Sequence, residues 1–328
     1  MPPPLALPRL LAWILLLALA ACSSIPREEG RIDLDRPPRS AGEEEVRRQI
    51  AAMEAELTAG APWSATRRGI ALRRVGRLSS SNADRIDQLL EASCSQAAAT
   101  AKRSSNFDAL DRTGLPRRAR AVFSIGHART LMNEGEYFQA YLRIRDLESV
   151  HRTHHLRTQA GEVVFEAGVR LTEDKSRVLW IFPRSTNAPT ILEYMVLQHP
   201  SHPRTPEAYL RLAGEYERRG QLAFAIERYE DLLLYHPQAA GTVEAEARVP
   251  QLRLDGQLRD DYDRGELILA KAGLERWLER HGSRLEVGDE LVEQVRADLR
   301  EATRRLASND LIVARFYRRV DSPEGQRL

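Results

Sequence analysis

The residues of this chain with the most chemical potential are two histidine groups, an acidic loop and two cysteines. His151, His154 and His155 fall within five positions, and His199 and His202 bracket Pro200-Ser201. Imidazoles at such spacing are zinc ligands when three or four N or S donors converge. Here neither a cysteine pair nor an HExxH sequence accompanies them, so polar residues at turns between helices account for the pattern as well. Asp260, Asp261 and Asp263 lack the glycine and distal glutamate of a calcium loop and read as a solvated turn. No GxSxG elbow, P-loop or GxGxxG run singles out a nucleophile or a phosphate cradle. Cys22 follows Leu19 and the small pair Ala20-Ala21, which leaves Cys94 as the second thiol.

The elements that would carry these residues begin with a leader. Arg9 is its only charged side chain, and Leu10 to Ala21 is an apolar run of twelve residues. That is short of the roughly 20 needed to span a bilayer but suits a signal peptide with small residues before its cleavage point. With Cys22 placed there, the segment resembles the lipobox of bacterial lipoproteins. The resemblance implies that residues 1–21 are removed and that Cys22 carries a diacylglycerol on sulfur and a further acyl chain on its amine. Ser23 in place of Asp then implies an outer-membrane address. Two or more chains give stable anchoring. An acylated Cys22 leaves Cys94 without an intrachain partner, so Cys94 reads as a small apolar residue or a thiol for cross-linking to another protein.

Composition narrows the function. Lys and Arg number 49 against 47 Asp and Glu, so no global field draws nucleic acid. Charged residues at 29 % with aromatics at 6 % suit an exposed helical protein. Residues 22–117 read as a tether followed by a poorly defined helical or disordered region. Pro26, Gly30, Pro37, Pro38 and Gly42 interrupt 23–42, and Val46, Ile50, Met53 and Leu57 predict one short helix over 43–57. Beyond it the pattern weakens, and Arg67, Arg68, Arg73, Arg74 and Arg77 form a basic run that suits either a solvated face or anionic head groups.

From residue 118 to 328 the sequence repeats. Residues 206–239 place Tyr209, Ala213, Tyr216, Gly220, Ala225, Tyr229 and Pro237 at the offsets of a tetratricopeptide repeat, which this stretch resembles. Small Ala213 and Ala225 let two helices close, Gly220 turns the chain and Pro237 ends the second helix. Ala128, Leu131, Gly135, Ala140, Ile144 and Leu147 keep the same offsets over 121–154, and Gly265, Ala270, Leu274 and Trp277 supply half of another unit. A pair at 286–307 and 309–319, split by Ser308-Asn309-Asp310 as a cap, is expected at the end. The predicted fold is an all-α tetratricopeptide-repeat solenoid of about five helical pairs, wound as a right-handed superhelix behind a lipidated flexible tether.

Several stretches together resemble the D-subunit lipoproteins of the outer-membrane β-barrel assembly machinery, the BamD or ComL type. They are the leader with Cys22, Gly135-Glu136-Tyr137, His202 to Ala208, Ile226-Glu227-Arg228-Tyr229 with Tyr235-His236-Pro237, and Asn309 to Tyr317 with its Ala-Arg-Phe-Tyr core. The chain departs from the family in its long tether and in an insertion at 172–188. The resemblance implies a non-enzymatic scaffold on the periplasmic face of the outer membrane, with a β-barrel insertase and unfolded outer-membrane proteins as partners. It implies no cofactor beyond the covalent lipid on Cys22. A general envelope adaptor in cell division or peptidoglycan linkage fits the repeats equally, and an envelope enzyme within 58–117 is the contrasting class. Candidate partner-binding residues are Leu210, Gly214, Glu217 and Arg218, on the helix face opposite Tyr209, Leu212, Ala213 and Tyr216. Trp180 and Phe182 of the insertion join them, as contacts to a protein or membrane or as a cover folded back on the array.

Overall fold

A computed structural model describes residues 43–75, 78–110, 114–173, 177–178, 182–183, 187–256, 264–283 and 288–319. The described chain is all-α apart from one two-residue β pair. It divides into two compact units, one up to Ser93 and one from Cys94 onward. Cys22, the leader and the tether before residue 43 lie outside the described residues.

In the first unit, α1 (Glu43–Thr58) opens with Glu43, Glu44 and Glu45, whose charges favour a helix N-terminus. Its buried side is Val46, Ile50 and Met53, as the helical spacing predicts. After a turn at Gly60, α2 (Pro62–Arg73) starts on a proline whose missing N–H costs nothing there. Then comes α3 (Ser80–Thr100), burying Ile86, Leu89 and Leu90. Gly69 allows the close approach, since a Cβ there would lie 2.8 Å from Met53 Cε and 2.5 Å from a Leu90 methyl. The described residues of 58–93, where the apolar pattern is thin, are thus largely helical with a buried core. Two arginines of the basic run pair within this unit, Arg68 with Glu56 at 2.6 Å and Arg73 with Asp87 at 3.1 Å, while Arg77 lies outside the described residues.

The second unit begins within α3, where Cys94 and Ala97 are fully buried, and continues through α4 (Ser105–Asp108). It is then a succession of hairpins: α5 (Arg117–Asn133) with α6 (Tyr137–Val150), α7 (Arg157–Glu173) with α8 (Ala188–Gln198), α9 (Thr205–Arg218) with α10 (Leu222–Tyr235), and α11 (Thr242–Asp255) with α12 (Arg264–His281). Each helix packs on its successor, and α5 also meets α7, α7 meets α9, and α11 meets α13 (Asp289–Arg319). Only one face of each hairpin is closed internally, so the neighbours cover the rest.

The repeat can be read from buried positions. In the second helix of the four hairpins, Ala140, Ala188, Ala225 and Ala270 are fully buried, and each is followed four and seven residues later by a buried large side chain. These are Ile144 and Leu147, Leu192 and Met195, Tyr229 and Leu232, and Leu274 and Trp277. The Ala188 unit lies just after the insertion, which hides its register from the sequence. The α5–α6 and α9–α10 turns close identically: Gly135 and Gly220 take φ of +78° and +70°, and the next N–H reaches back five residues, Glu136 to Leu131 O and Gln221 to Tyr216 O, both at 2.9 Å. Only glycine adopts that backbone without strain. The α1–α2 link repeats the device at Gly60 with Ala61 N–H on Glu56 O, and Met53, Ala65 and Leu72 keep the corresponding buried offsets. Among the described residues there are therefore five such hairpins, one of them in the first unit.

The expected final pair is a correction. Residues 289–319 form one helix, α13, with no break at Ser308-Asn309-Asp310. No Gly or Pro interrupts that span, and Val295, Leu299, Ala302, Leu306 and Asn309 hold one continuous inward stripe. A cap cluster ends a helix only where the backbone leaves it, and nothing here makes it leave.

Candidate functional site

The face of α9 chosen from sequence is resolved into three different roles. Tyr209, Leu212, Ala213 and Tyr216 are buried as expected. Leu210 is half-buried, its methyls so close to Gly241 that a Cβ there would stand 2.7 Å away, so it packs beneath the α10–α11 link. Gly214 opens on free space. Glu217 is held by the fold: it accepts from Tyr229 Oη at 2.7 Å and pairs with Arg248 at 2.6 Å, tying α9, α10 and α11 together. Burial first, and then the hydrogen bond to Glu217, push the Tyr229 phenol well above its ordinary range. Arg218 is exposed and pairs with buried Glu215 on its own helix. Of the four, Gly214 and Arg218 present accessible surface.

A concave surface that sequence reasoning missed lies among α10, α11 and α12. It is an open groove of about 800 Å³. Leu233, Val249 and Leu269 give it apolar walls, and Arg253, Arg276 and Glu246 charge its rim. Arg253 bridges Glu230 and Glu266, both at 2.8 Å, and Glu246 receives Arg280 and His281. Its floor is the crossing of Pro250 and Gly273, where a Cβ on the glycine would come within 2.8 Å of the proline ring. Pro250 sits inside α11 and has no N–H, which frees the carbonyl of Glu246 from the helical ladder. A proline within a helical pattern was the available signal. Walls of Leu and Val with an arginine rim suit an extended segment or a helix of another polypeptide.

Two of the histidines, His154 and His199, meet at a buried carboxylate. Glu148 of α6 is 4 % exposed and accepts from Tyr194 Oη at 2.7 Å and His199 Nε2 at 3.1 Å, with His154 Nε2 at 3.4 Å on its other oxygen. Arg157 approaches to 3.7 Å. Burial opposes the charge of Glu148, but the hydrogen bonds from His154, His199 and Tyr194 outweigh it and hold the carboxyl at about 2. His202 bonds Thr158 O at 3.1 Å, and bare Gly161 leaves room for it and His199. Burial lowers the His202 imidazole. Among the described residues no three His, Cys, Asp or Glu side chains are arranged to hold a metal. Asp260, Asp261 and Asp263 lie outside the described residues, as does Trp180.

Phe182 stands in β2 (Phe182–Pro183), which pairs antiparallel with β1 (Arg177–Val178) so that Val178 faces Phe182 across the ladder. Cys94 is buried and in no disulfide among the described residues, which fits the small-apolar reading. No described helix is long and apolar enough to cross a membrane. In comparison with known proteins, the chain matches no family model and no curated protein.

Proposed function

We propose that this chain is a lipid-anchored protein-binding scaffold of the cell envelope, and that its helical hairpins are tetratricopeptide repeats. The observation that carries the reading is the recurrence of one buried register, a small residue followed at four and seven by large ones, in the second helices of all four hairpins of the second unit. Such an array offers extended concave surfaces and a groove fit for peptide. Cys22 would carry the lipid, which places the array on the periplasmic face of an outer membrane. Within that setting the resemblance to the assembly-machinery lipoproteins supports a specific role: receiving unfolded outer-membrane proteins beside a β-barrel insertase.

In-cell cross-linking followed by detergent purification and mass spectrometry, with wild type beside Cys22→Ser, tests this. Recovery of a large barrel with periplasmic domains, reduced in the variant, supports the assembly role. Recovery of division or wall-linked proteins instead leaves the scaffold and removes the assembly role. An unlipidated Cys22 in the mass spectrum of the mature chain would remove the anchor.

A further inference from the structure

The C-terminal third of α13 carries an amphipathic surface that nothing in the described chain covers. The helix is packed on its neighbours through Val292, Val295 and Ala302 up to Asn309, which is 5 % exposed. Beyond it the helix runs on to Arg319 with Leu311 and Phe316 each 57 % exposed, Ile312 40 % and Val313 39 %. At roughly 100° per residue, Ile312, Phe316 and Val313 share one arc of the helix, and Arg319, Arg315 and Arg318 follow in that order along one flank of it, about 20°, 60° and 120° beyond Ile312, with Leu311 among them. No acidic residue lies between Leu311 and Arg319. Asp310, just before, is already paired with Arg264 at 3.0 Å. The three arginines form no ion pair with any described residue.

We propose that Leu311–Arg319 is a membrane-contact helix, its apolar arc entering an anionic lipid surface while Arg315, Arg318 and Arg319 meet phosphate head groups. Charge selects this occupant. A second copy of the same helix would set three guanidiniums against three, whereas an anionic lipid surface offers phosphates along the whole flank. Arginine stems are long enough to reach head groups from beside a buried apolar arc. The inference stands on α13 alone and is independent of the scaffold role and of Cys22.

The test uses the full chain with Cys22→Ser, which removes acyl chains, and an environment-sensitive fluorophore on Val313→Cys. Cys94 is buried and does not compete for the label. Vesicles of phosphatidylcholine alone are compared with vesicles that also contain phosphatidylglycerol. The expected result is a blue-shifted, brighter probe with the acidic vesicles only, reversed by salt. Each Arg→Gln change should raise the lipid needed about fivefold, and the triple change about a hundredfold. Phe316→Asp should abolish the response; the side chain is exposed, and unchanged far-ultraviolet circular dichroism would confirm the fold. A probe that stays in water while the chain sediments with acidic vesicles overturns the proposal, because membrane binding then lies elsewhere. A triple variant that responds like the parent overturns it as well. So does a probe silent towards lipid but shifted by an acidic peptide helix, which would make the face a protein interface.

Discussion

Replacing Glu148 by alanine should destabilise the array more than replacing Glu217 or Arg218. The carboxylate is 4 % exposed and takes hydrogen bonds from Tyr194, His199 and His154, so its loss strands three polar groups among α6, α7 and α8. Removing one partner of a buried charged cluster costs on the order of 3–5 kcal/mol. At roughly 2–4 °C per kcal/mol for a chain of this size, the melting temperature should fall by about 10 °C. Glu148→Gln keeps the shape and one acceptor, so about half that loss is expected. The two variants also separate charge from packing through pH. The native carboxyl is held at about 2 against an ordinary 4.5, a depressed value, so its contribution is complete above 4.5 and is lost as pH falls from 4.5 towards about 2. That difference corresponds to about 3 kcal/mol. Urea unfolding followed by circular dichroism near pH 6 and near pH 2 should therefore show the gap between parent and Glu148→Gln closing at the acid end. A Glu148→Ala melting temperature within about 2 °C of the parent, or a gap that does not change with pH, would refute the reasoning.

Gly126 faces Ala98 so closely that a methyl group would overlap it, and Gly126→Ala should cost about 1–3 kcal/mol in urea unfolding. Glu217→Ala, which cuts the bridge to Tyr229 and Arg248, should cost about 1–2 kcal/mol, whereas Arg218→Ala on the exposed flank should stay within about 0.5 kcal/mol. If the two variants prove equally mild, Glu217 does not tie the hairpins together. Trp277 donates its indole N–H to Val243 O at 2.9 Å from a fully buried site, so Trp277→Phe should lose about 1–2 kcal/mol, read as an earlier thermal transition.

The hairpins with a glycine turn were legible because their chemistry is local. Gly135 and Gly220 need positive φ, and the alanines and large apolar residues around them fall at fixed offsets within one contact. The Ala188 unit was obscured because the insertion before it shifts the register, and nothing in the Leu192 to Met195 segment announces its partner in α7. The α1–α2 hairpin was half legible: its first helix shows in Val46, Ile50 and Met53, but the second buries Thr66 and Gly69, types that carry no hydrophobic signal. Thr66 is satisfied within the fold, its hydroxyl 2.9 Å from that of Ser93. On α9, sequence marked the buried face, Tyr209, Leu212, Ala213 and Tyr216, but not the fate of the other side chains. Glu217 looks solvent-facing on a helical wheel, yet Arg248 reaches it from the next hairpin, a contact that no local pattern encodes.

The same register explains why the histidines mislead. His151, His199, His236 and His281 each stand eleven residues after the buried alanine of their hairpin, and the first three cap the helix by donating their backbone N–H to the carbonyl four residues back, at 2.8–2.9 Å. Position at a helix C-terminus favours a side chain that can carry positive charge. The imidazoles then meet whatever the adjoining helix offers: His199 finds Glu148, His281 finds Glu246 at 2.9 Å, and His236 lies 5.9 Å from the Tyr209 ring. Four residues placed by one structural rule are spread along the array, one per hairpin, and do not converge. What does vary from hairpin to hairpin is the side chain between those fixed points, such as Arg276 and Leu269 in the groove or Arg218 on α9. Under the proposed scaffold role, selectivity for a partner has to be written there.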